Sequence, residues 1–195
     1  MNDAHSVQLP SKYTEIFETT KSMGFKMGSD VLTGNFLRTL ATTKPKGRFL
    51  EIGTGTGLSA AWMLDGMDSQ STLLSVDNDP AVVAVASKSL GSDSRLTLKV
   101  ADGAEFIKSL AGQKFDLIFA DSWPGKFNTF EETLRLVAPG GFYVVDDMLP
   151  QPNWVEGHDL AVEKWLAQLE GLKDFHVCKM NWSTGLVLCV RKTVG

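Results

Sequence analysis

Short apolar runs alternate with amphipathic segments along most of the chain. The runs at 48–53, 72–77, 96–101, 115–121 and 141–147 are nearly all apolar, which is typical of strands covered on both faces in a parallel sheet. Helical patterns lie between or after them, at 58–64, 80–90, 130–137 and 158–169. This β-α order predicts an α/β protein with a doubly wound, mostly parallel sheet, whose ligands bind beyond the carboxyl ends of the strands.

The two ends of the chain carry different patterns. Apolar stripes beginning at Tyr13 and Val31 predict two N-terminal helices, the second capped by Asp30. The segments 175–182 and 185–192 predict a closing antiparallel hairpin. Since no repeat or linker interrupts the sequence, we expect one domain over 1–195, in which a helical extension (1–45) packs on an α/β core (46–195).

Composition and charge argue against several classes of protein. Of the 195 residues, 43% are hydrophobic and 22% charged, as in folded globular proteins. A net charge of −4 without a Lys/Arg run argues against a nucleic-acid-binding protein. No apolar run reaches the roughly 18 residues of a membrane span, and the N-terminus does not resemble a secretory signal, so we expect a cytoplasmic protein. Cys178 and Cys189 are too few for a disulfide scaffold, and we expect two buried thiols.

A glycine-rich turn is the strongest chemical signal. The sequence Leu50-Glu51-Ile52-Gly53-Thr54-Gly55-Thr56-Gly57 follows a predicted strand and precedes a helix. Glycines at 53, 55 and 57 let the backbone turn sharply and approach a ligand closely. The spacing differs from the dinucleotide fingerprint, because position 58 is not glycine, and no Gly-Lys-Ser/Thr follows as in a P-loop.

Acidic residues stand at the carboxyl end of each of the next four predicted strands: Asp77, Asp102, Asp121, and the pair Asp146-Asp147. Carboxyl ends of parallel strands meet at one edge of a sheet, so these acids point to a single crevice. Asp77 is placed to accept hydrogen bonds from a ribose diol, and Asp102 to reach an adenine amino group. Any one of them could instead cap the following helix.

With these motifs, the chain from about Met27 to Lys192 resembles the class I S-adenosylmethionine (SAM)-dependent methyltransferases of Rossmann-like fold. Within that class it is similar to the small catechol and caffeoyl-CoA O-methyltransferases, on LEIGTGTGLS and VDNDP. The resemblance implies that Asp77 binds the ribose, that Asp102-Gly103 flank the adenine, and that Glu51, Gly53 and Ser59 line the methionine end. The full set of cofactor residues implied is Met27, Ser29, Glu51, Gly53, Thr54, Gly55, Ser59, Asp77, Asn78, Asp102, Gly103, Asp121, Ser122 and Trp123.

The resemblance also implies a metal site formed by Asp121, Asp146 and Asp147, whose oxygen ligands suit Mg²⁺ or another divalent cation. Two positions depart from the family pattern. Asp147 replaces an asparagine, and Pro124 stands where the family has a lysine that helps to deprotonate the acceptor. Lys126 is a substitute for that lysine, although a loop lysine is more often solvated.

His158 is the other candidate base, because an imidazole titrates near neutrality; alternatively it only begins the helix that follows. Together these features predict methyl transfer from SAM to a hydroxyl of a small, aromatic molecule. The alternatives are transfer to nitrogen or another acceptor without metal, an NAD-dependent oxidoreductase, and a non-catalytic cofactor-binding module. Relatives of this shape occur as monomers and as dimers, so a homodimer is one of two expectations.

Overall fold

A seven-stranded sheet forms the centre of the protein, in the order β3-β2-β1-β4-β5-β7-β6. The structure, a computed structural model, describes residues 7–193. The strands are β1 (Arg48–Ile52), β2 (Thr72–Asp77), β3 (Leu96–Val100), β4 (Phe115–Ala120), β5 (Val137–Val145), β6 (Phe175–Met180) and β7 (Leu186–Arg191). Strands β1 to β5 pair in parallel, whereas β7 is antiparallel to β5 and β6. The predicted fold class and the closing hairpin are confirmed.

Helices cover both faces of this sheet. They are α1 (Tyr13–Ser22), α2 (Val31–Thr42), α3 (Leu58–Gly66), α4 (Pro80–Leu90), α5 (Gly103–Ser109), the short turn α6 (Trp123–Lys126), α7 (Phe130–Leu136) and α8 (His158–Leu169). Alternate residues of one strand face opposite layers: Phe119 of β4 packs with α1, α2 and α3, and Ile118 packs with α5, α7 and α8. This two-sided burial explains why the central strands are apolar throughout. No helix within residues 7–193 has the length and apolar character needed to cross a membrane.

The structure corrects several element predictions. Strand β5 begins at Val137, so the Pro139-Gly140-Gly141 signal lies inside a strand rather than after a helix, and the β4–β5 register shifts between Phe115 and Leu117. Helix α5 was not predicted. Strand β3 lies at the sheet edge and is largely exposed, and Cys178 on the other edge strand is exposed, while Cys189 is buried. Edge strands need only one covered face or none, which an apolar pattern alone does not reveal.

Candidate active site

A cavity of about 660 Å³ opens at the carboxyl ends of β1, β2, β4 and β5. The order of the strands reverses between β1 and β4, and such switch points are where open α/β sheets bind ligands. The structure brings most of the predicted site residues to this cavity. Those that line it are Met27, Ser29, Gly53, Thr54, Gly55, Ser59, Asp77, Asn78, Asp121, Ser122, Trp123, Lys126, Asp146, Asp147 and His158.

Asp77 connects the glycine turn to the end of β2 by hydrogen bonds. Its Oδ2 accepts a hydrogen bond from the Gly55 backbone N–H at 2.8 Å, and its Oδ1 accepts one from the Asp79 N–H at 3.0 Å. Each carboxylate oxygen has a further lone pair, and Asp77 lines the cavity. The carboxylate is therefore held in place with acceptor capacity left for a ligand.

Gly53 takes a conformation that other residues avoid. Its φ is +103°, and an added Cβ would lie 2.8 Å from the Asp121 carbonyl oxygen. Gly112 has a similar φ of +87° but open space around it. Both positions therefore require a left-handed backbone conformation, and only Gly53 also lies close to another backbone segment.

We expect Gly53→Ala to reduce the free energy of unfolding more than Gly112→Ala does. Both variants incur the left-handed backbone cost of about 1–3 kcal/mol, and the Gly53 variant adds a clash with backbone that cannot swing aside. Urea unfolding of both variants measures the difference. Equal losses would show that β1 and β4 separate easily at this point.

Glu51 is completely buried beneath the glycine turn and does not line the cavity itself. Its Oε2 accepts a hydrogen bond from the Ser75 hydroxyl at 2.5 Å, whereas Oε1 has no hydrogen-bond partner among the described residues. Burial raises the pKa of Glu51 to about 8. An unpartnered carboxyl oxygen at this depth fits a site that receives a positively charged ligand group.

Glu51→Gln is expected to flatten the dependence of stability on pH in the ligand-free protein. The Glu51 pKa is about 8 in the folded state against an ordinary value of 4.5, so the unfolded state loses its proton first as pH rises. Stability contributed by protonated Glu51 is thus lost progressively between those two values. Urea unfolding at both ends of the window measures the change, with Glu163→Gln on the exposed side of α8 as the control; an equal slope in Glu51→Gln and wild type contradicts the assignment.

Lys126 is only 2% exposed, so the alternative of a solvated loop lysine is wrong, while its role as a base stays a prediction. Its Nζ donates a hydrogen bond to the Asp146 carbonyl oxygen at 2.9 Å and lies 3.6 Å from Asp121 Oδ1. The turn that carries it bends at Gly125, with φ of +85°, and the buried Tyr143 hydroxyl donates to the Gly125 carbonyl. This bend turns the lysine inward to the cavity.

Two of the three acids predicted to bind a metal accept hydrogen bonds from protein groups. Asp121 Oδ2 accepts a hydrogen bond from the Ser29 hydroxyl at 3.3 Å. Asp146 Oδ1 accepts from the Asp147 N–H at 2.6 Å and from the Thr184 hydroxyl. Within residues 7–193, no set of three or more His, Cys, Asp and Glu side chains is arranged to hold a metal ion.

The metal site at these acids stays a prediction: the three residues are adjacent, and two of them already accept hydrogen bonds from protein groups. Burial raises the pKa of Asp121 and of Asp146. The Lys126 ammonium opposes both shifts by favouring the charged carboxylates.

His158 lies at the centre of an aromatic slot in the cavity wall. Its ring stacks on Trp154 at 4.4 Å and meets the rings of Trp123 and Phe127 edge-on at 5.8 and 5.3 Å. Burial lowers the pKa of His158, which favours the neutral imidazole. Its Nε2 is buried without a hydrogen-bond partner among the described residues and lies 3.6 Å from Asp147 Oδ2. An unpartnered ring nitrogen in an apolar slot can act as a proton acceptor.

Besides Glu51, two predicted cofactor residues lie outside the residues that line the cavity, Asp102 and Gly103. Asp102 is exposed, and its carboxylate caps α5 by accepting from the Glu105 N–H at 2.9 Å. Gly103 packs against Pro124, since an added Cβ would lie 2.9 Å from the Pro124 Cβ. The adenine contacts of this pair remain predictions, and Met27, which is 64% exposed, stands at the cavity rim.

Several lining residues were not assigned to the site from the sequence. Phe25 and Lys26 come from the N-terminal segment, and Thr184 comes from the opposite end of the chain. None belongs to a recognisable motif. Only the folding of the N-terminal segment and the β6–β7 turn over the sheet edge places them here.

The comparisons agree with this geometry. A methyltransferase domain family matches residues 50–148, about half of the chain. A protein of Mycobacterium sp. (strain JLS) that carries an O-methyltransferase name is 30% identical over 150 residues, which cover 73% of this chain and 68% of that protein. The chain belongs to the methyltransferase domain family.

Other known proteins are also similar to this methyltransferase. The catechol O-methyltransferase of Niastella koreensis is 27% identical over 167 residues, covering 73% of this chain and 76% of that enzyme. Among solved structures, the O-methyltransferase TomG of Streptomyces achromogenes, in complex with SAM, has a TM-score of 0.84 at 20% identity, covering 98% of this chain and 94% of TomG. The S-adenosylhomocysteine (SAH)-bound methyltransferase PaMTH1 of Podospora anserina has a TM-score of 0.85 at 24% identity, covering 98% and 92%. These two structures share its fold.

Proposed function

We propose that this methyltransferase binds SAM in the cavity and transfers the methyl group to a hydroxyl of a small aromatic molecule. The observation that carries the proposal is one cavity bounded on one side by the glycine turn with Asp77 and on another by the His158 slot. The first side suits an adenosyl group and the second a planar acceptor. The names of the curated relatives, O-methyltransferase and catechol O-methyltransferase, support the choice of oxygen.

The cofactor side follows from the chemistry of SAM. Asp77 would accept hydrogen bonds from the ribose hydroxyls, since both its oxygens keep acceptor capacity beyond the Gly55 and Asp79 bonds. The glycine turn would pass close to the methionine part, and the Glu51 carboxyl below it, protonated in the ligand-free protein, would be favoured in its charged form when that cationic end binds. Asp102 and Gly103 would be reached only by the outer edge of the adenine.

The acceptor side provides a base and a dry setting. When bound, SAM supplies an electrophilic methyl group, and the acceptor oxygen displaces SAH as the oxygen–carbon bond forms. His158 Nε2 would take the hydroxyl proton, in a slot walled by Trp123, Phe127 and Trp154. Holding donor and acceptor in line can supply about 7–11 kcal/mol of the barrier. Burial of His158 itself limits the access of water to the base.

The net charge of the chain bears on the class of acceptor. A net charge of −4 favours a small-molecule acceptor over nucleic acid. We further propose that the enzyme acts in the cytoplasm, as a monomer or a homodimer.

Incubation with methyl-labelled SAM and a panel of catechols, monophenols and arylamines tests the proposed reaction. We expect label in aryl methyl ethers and equimolar SAH. Label confined to the arylamines would replace oxygen by nitrogen as the acceptor. Binding of SAH without methylation of any acceptor would favour a non-catalytic module.

A further inference from the structure

We propose that the ammonium of Lys126 stands in for a divalent cation in the acceptor site, so that methyl transfer by this enzyme requires no metal. The inference rests on the proposed function and deepens it. The family resemblance assigns the acids of the site to a metal, whereas their contacts in the structure are with protein groups. The inference starts from that difference.

The position of Lys126 is fixed from several sides. The side chain is 2% exposed and lines the cavity. Its Nζ is 2.9 Å from the Asp146 carbonyl oxygen and 3.6 Å from Asp121 Oδ1. A buried ammonium held this way adds positive charge to the place where Asp121, Asp146 and Asp147 concentrate negative charge.

The ammonium also has a donor left for the acceptor. A lysine carries three N–H donors; one bonds to the Asp146 carbonyl and one faces Asp121. In this proposal the third points to the acceptor, since Lys126 lines the cavity. A hydroxyl that loses its proton to His158 would place its developing negative charge against this donor, which is how a charged hydrogen bond stabilises an oxyanion.

A divalent cation would compete with Lys126 for the Asp121 carboxylate. Binding it would push a second positive charge against a buried ammonium, or force that ammonium away from the Asp146 carbonyl. Both changes oppose metal binding. Removal of the lysine charge should therefore create affinity for a metal that the wild type lacks.

Manganese titration, followed by electron paramagnetic resonance of free Mn²⁺, tests this on three proteins. They are wild type, Lys126→Met, and Lys44→Met, whose lysine bonds to the Gly140 carbonyl at 2.6 Å outside the cavity. We expect Lys126→Met to bind one Mn²⁺ at least about tenfold more tightly than the other two. The gain should disappear in Lys126→Met/Asp147→Ala, and EDTA should leave wild-type methyl transfer unchanged.

Tight Mn²⁺ binding by wild type, together with loss of turnover in EDTA, would overturn the proposal. So would a Lys126→Met variant that folds, as judged by circular dichroism, yet binds Mn²⁺ no better than wild type. If that variant does not fold, the wild-type titration and the EDTA assay still decide. Calorimetry with SAH on the same samples separates failure here from failure of the proposed function, because SAH binding depends on neither a metal nor Lys126 Nζ in this account.

Discussion

Replacement of His158 by phenylalanine is expected to lower kcat by about 10²–10⁴-fold, the usual contribution of a positioned general base. Phenylalanine keeps the stack on Trp154 and the edge contacts to Trp123 and Phe127, but it removes the unpartnered Nε2. The affinity for SAH should change little, because His158 stands on the acceptor side of the cavity.

The matched control is His176→Phe, which changes an exposed histidine on β6 and should leave kcat near the wild-type value. Single-turnover methyl transfer gives the chemical step, and calorimetry gives the SAH dissociation constant. An unchanged kcat in His158→Phe would exclude the base. Parallel losses of kcat and SAH affinity would indicate that His158 only supports the cavity wall.

Asp77→Ala is expected to weaken SAH binding by about 10–150-fold, from the loss of a charge-assisted hydrogen bond of roughly 1.5–3 kcal/mol. The loss has two sources. The ribose hydroxyls lose their acceptor, and the Gly55 N–H loses the partner that holds the glycine turn at 2.8 Å.

Asp77→Asn separates these two sources, since an amide oxygen can still accept from Gly55 while the negative charge is gone. Asp65→Ala serves as the control, because its carboxylate is 42% exposed and pairs with Arg38 away from the cavity. A dissociation constant for Asp77→Ala equal to that of wild type would refute the ribose assignment.

Much of the fold could be predicted from the sequence, because the signals for strands and helix caps are local. In addition, a strand buried on both faces needs apolar residues at nearly every position. The strand at 48–52 is apolar because both sheet faces are covered there, and Asp30 caps α2 as predicted by accepting from the Leu32 and Thr33 N–H groups. The start of β5 was missed because Pro139 and Gly140 lie within the strand, where a break in register accommodates them. A turn signal does not show whether the chain turns or bulges.

Some features of the candidate site could likewise be predicted from the sequence, and others could not. Glycines 53 to 57 and Asp77 belong to one contiguous strand-turn-helix unit and its neighbouring strand, so their proximity could be predicted. The inward turn of Lys126 could not, because it depends on the bend at Gly125 and on Tyr143 in a strand beyond it. The contact of Asp146 with Thr184 depends on the β6–β7 turn. Motif spacing predicted three acids side by side and offered Lys126 as a candidate base, but it did not predict that Lys126 bonds to the Asp146 carbonyl.

Calorimetric titration of the wild-type protein with SAH, and separately with NAD, tests the central assignment most directly. We expect one SAH to bind per chain and NAD to give no saturable heat, since the turn of glycines 53, 55 and 57 lacks the dinucleotide spacing. Saturable binding of NAD alone would contradict the identification of this cavity as an adenosyl-sulfonium site.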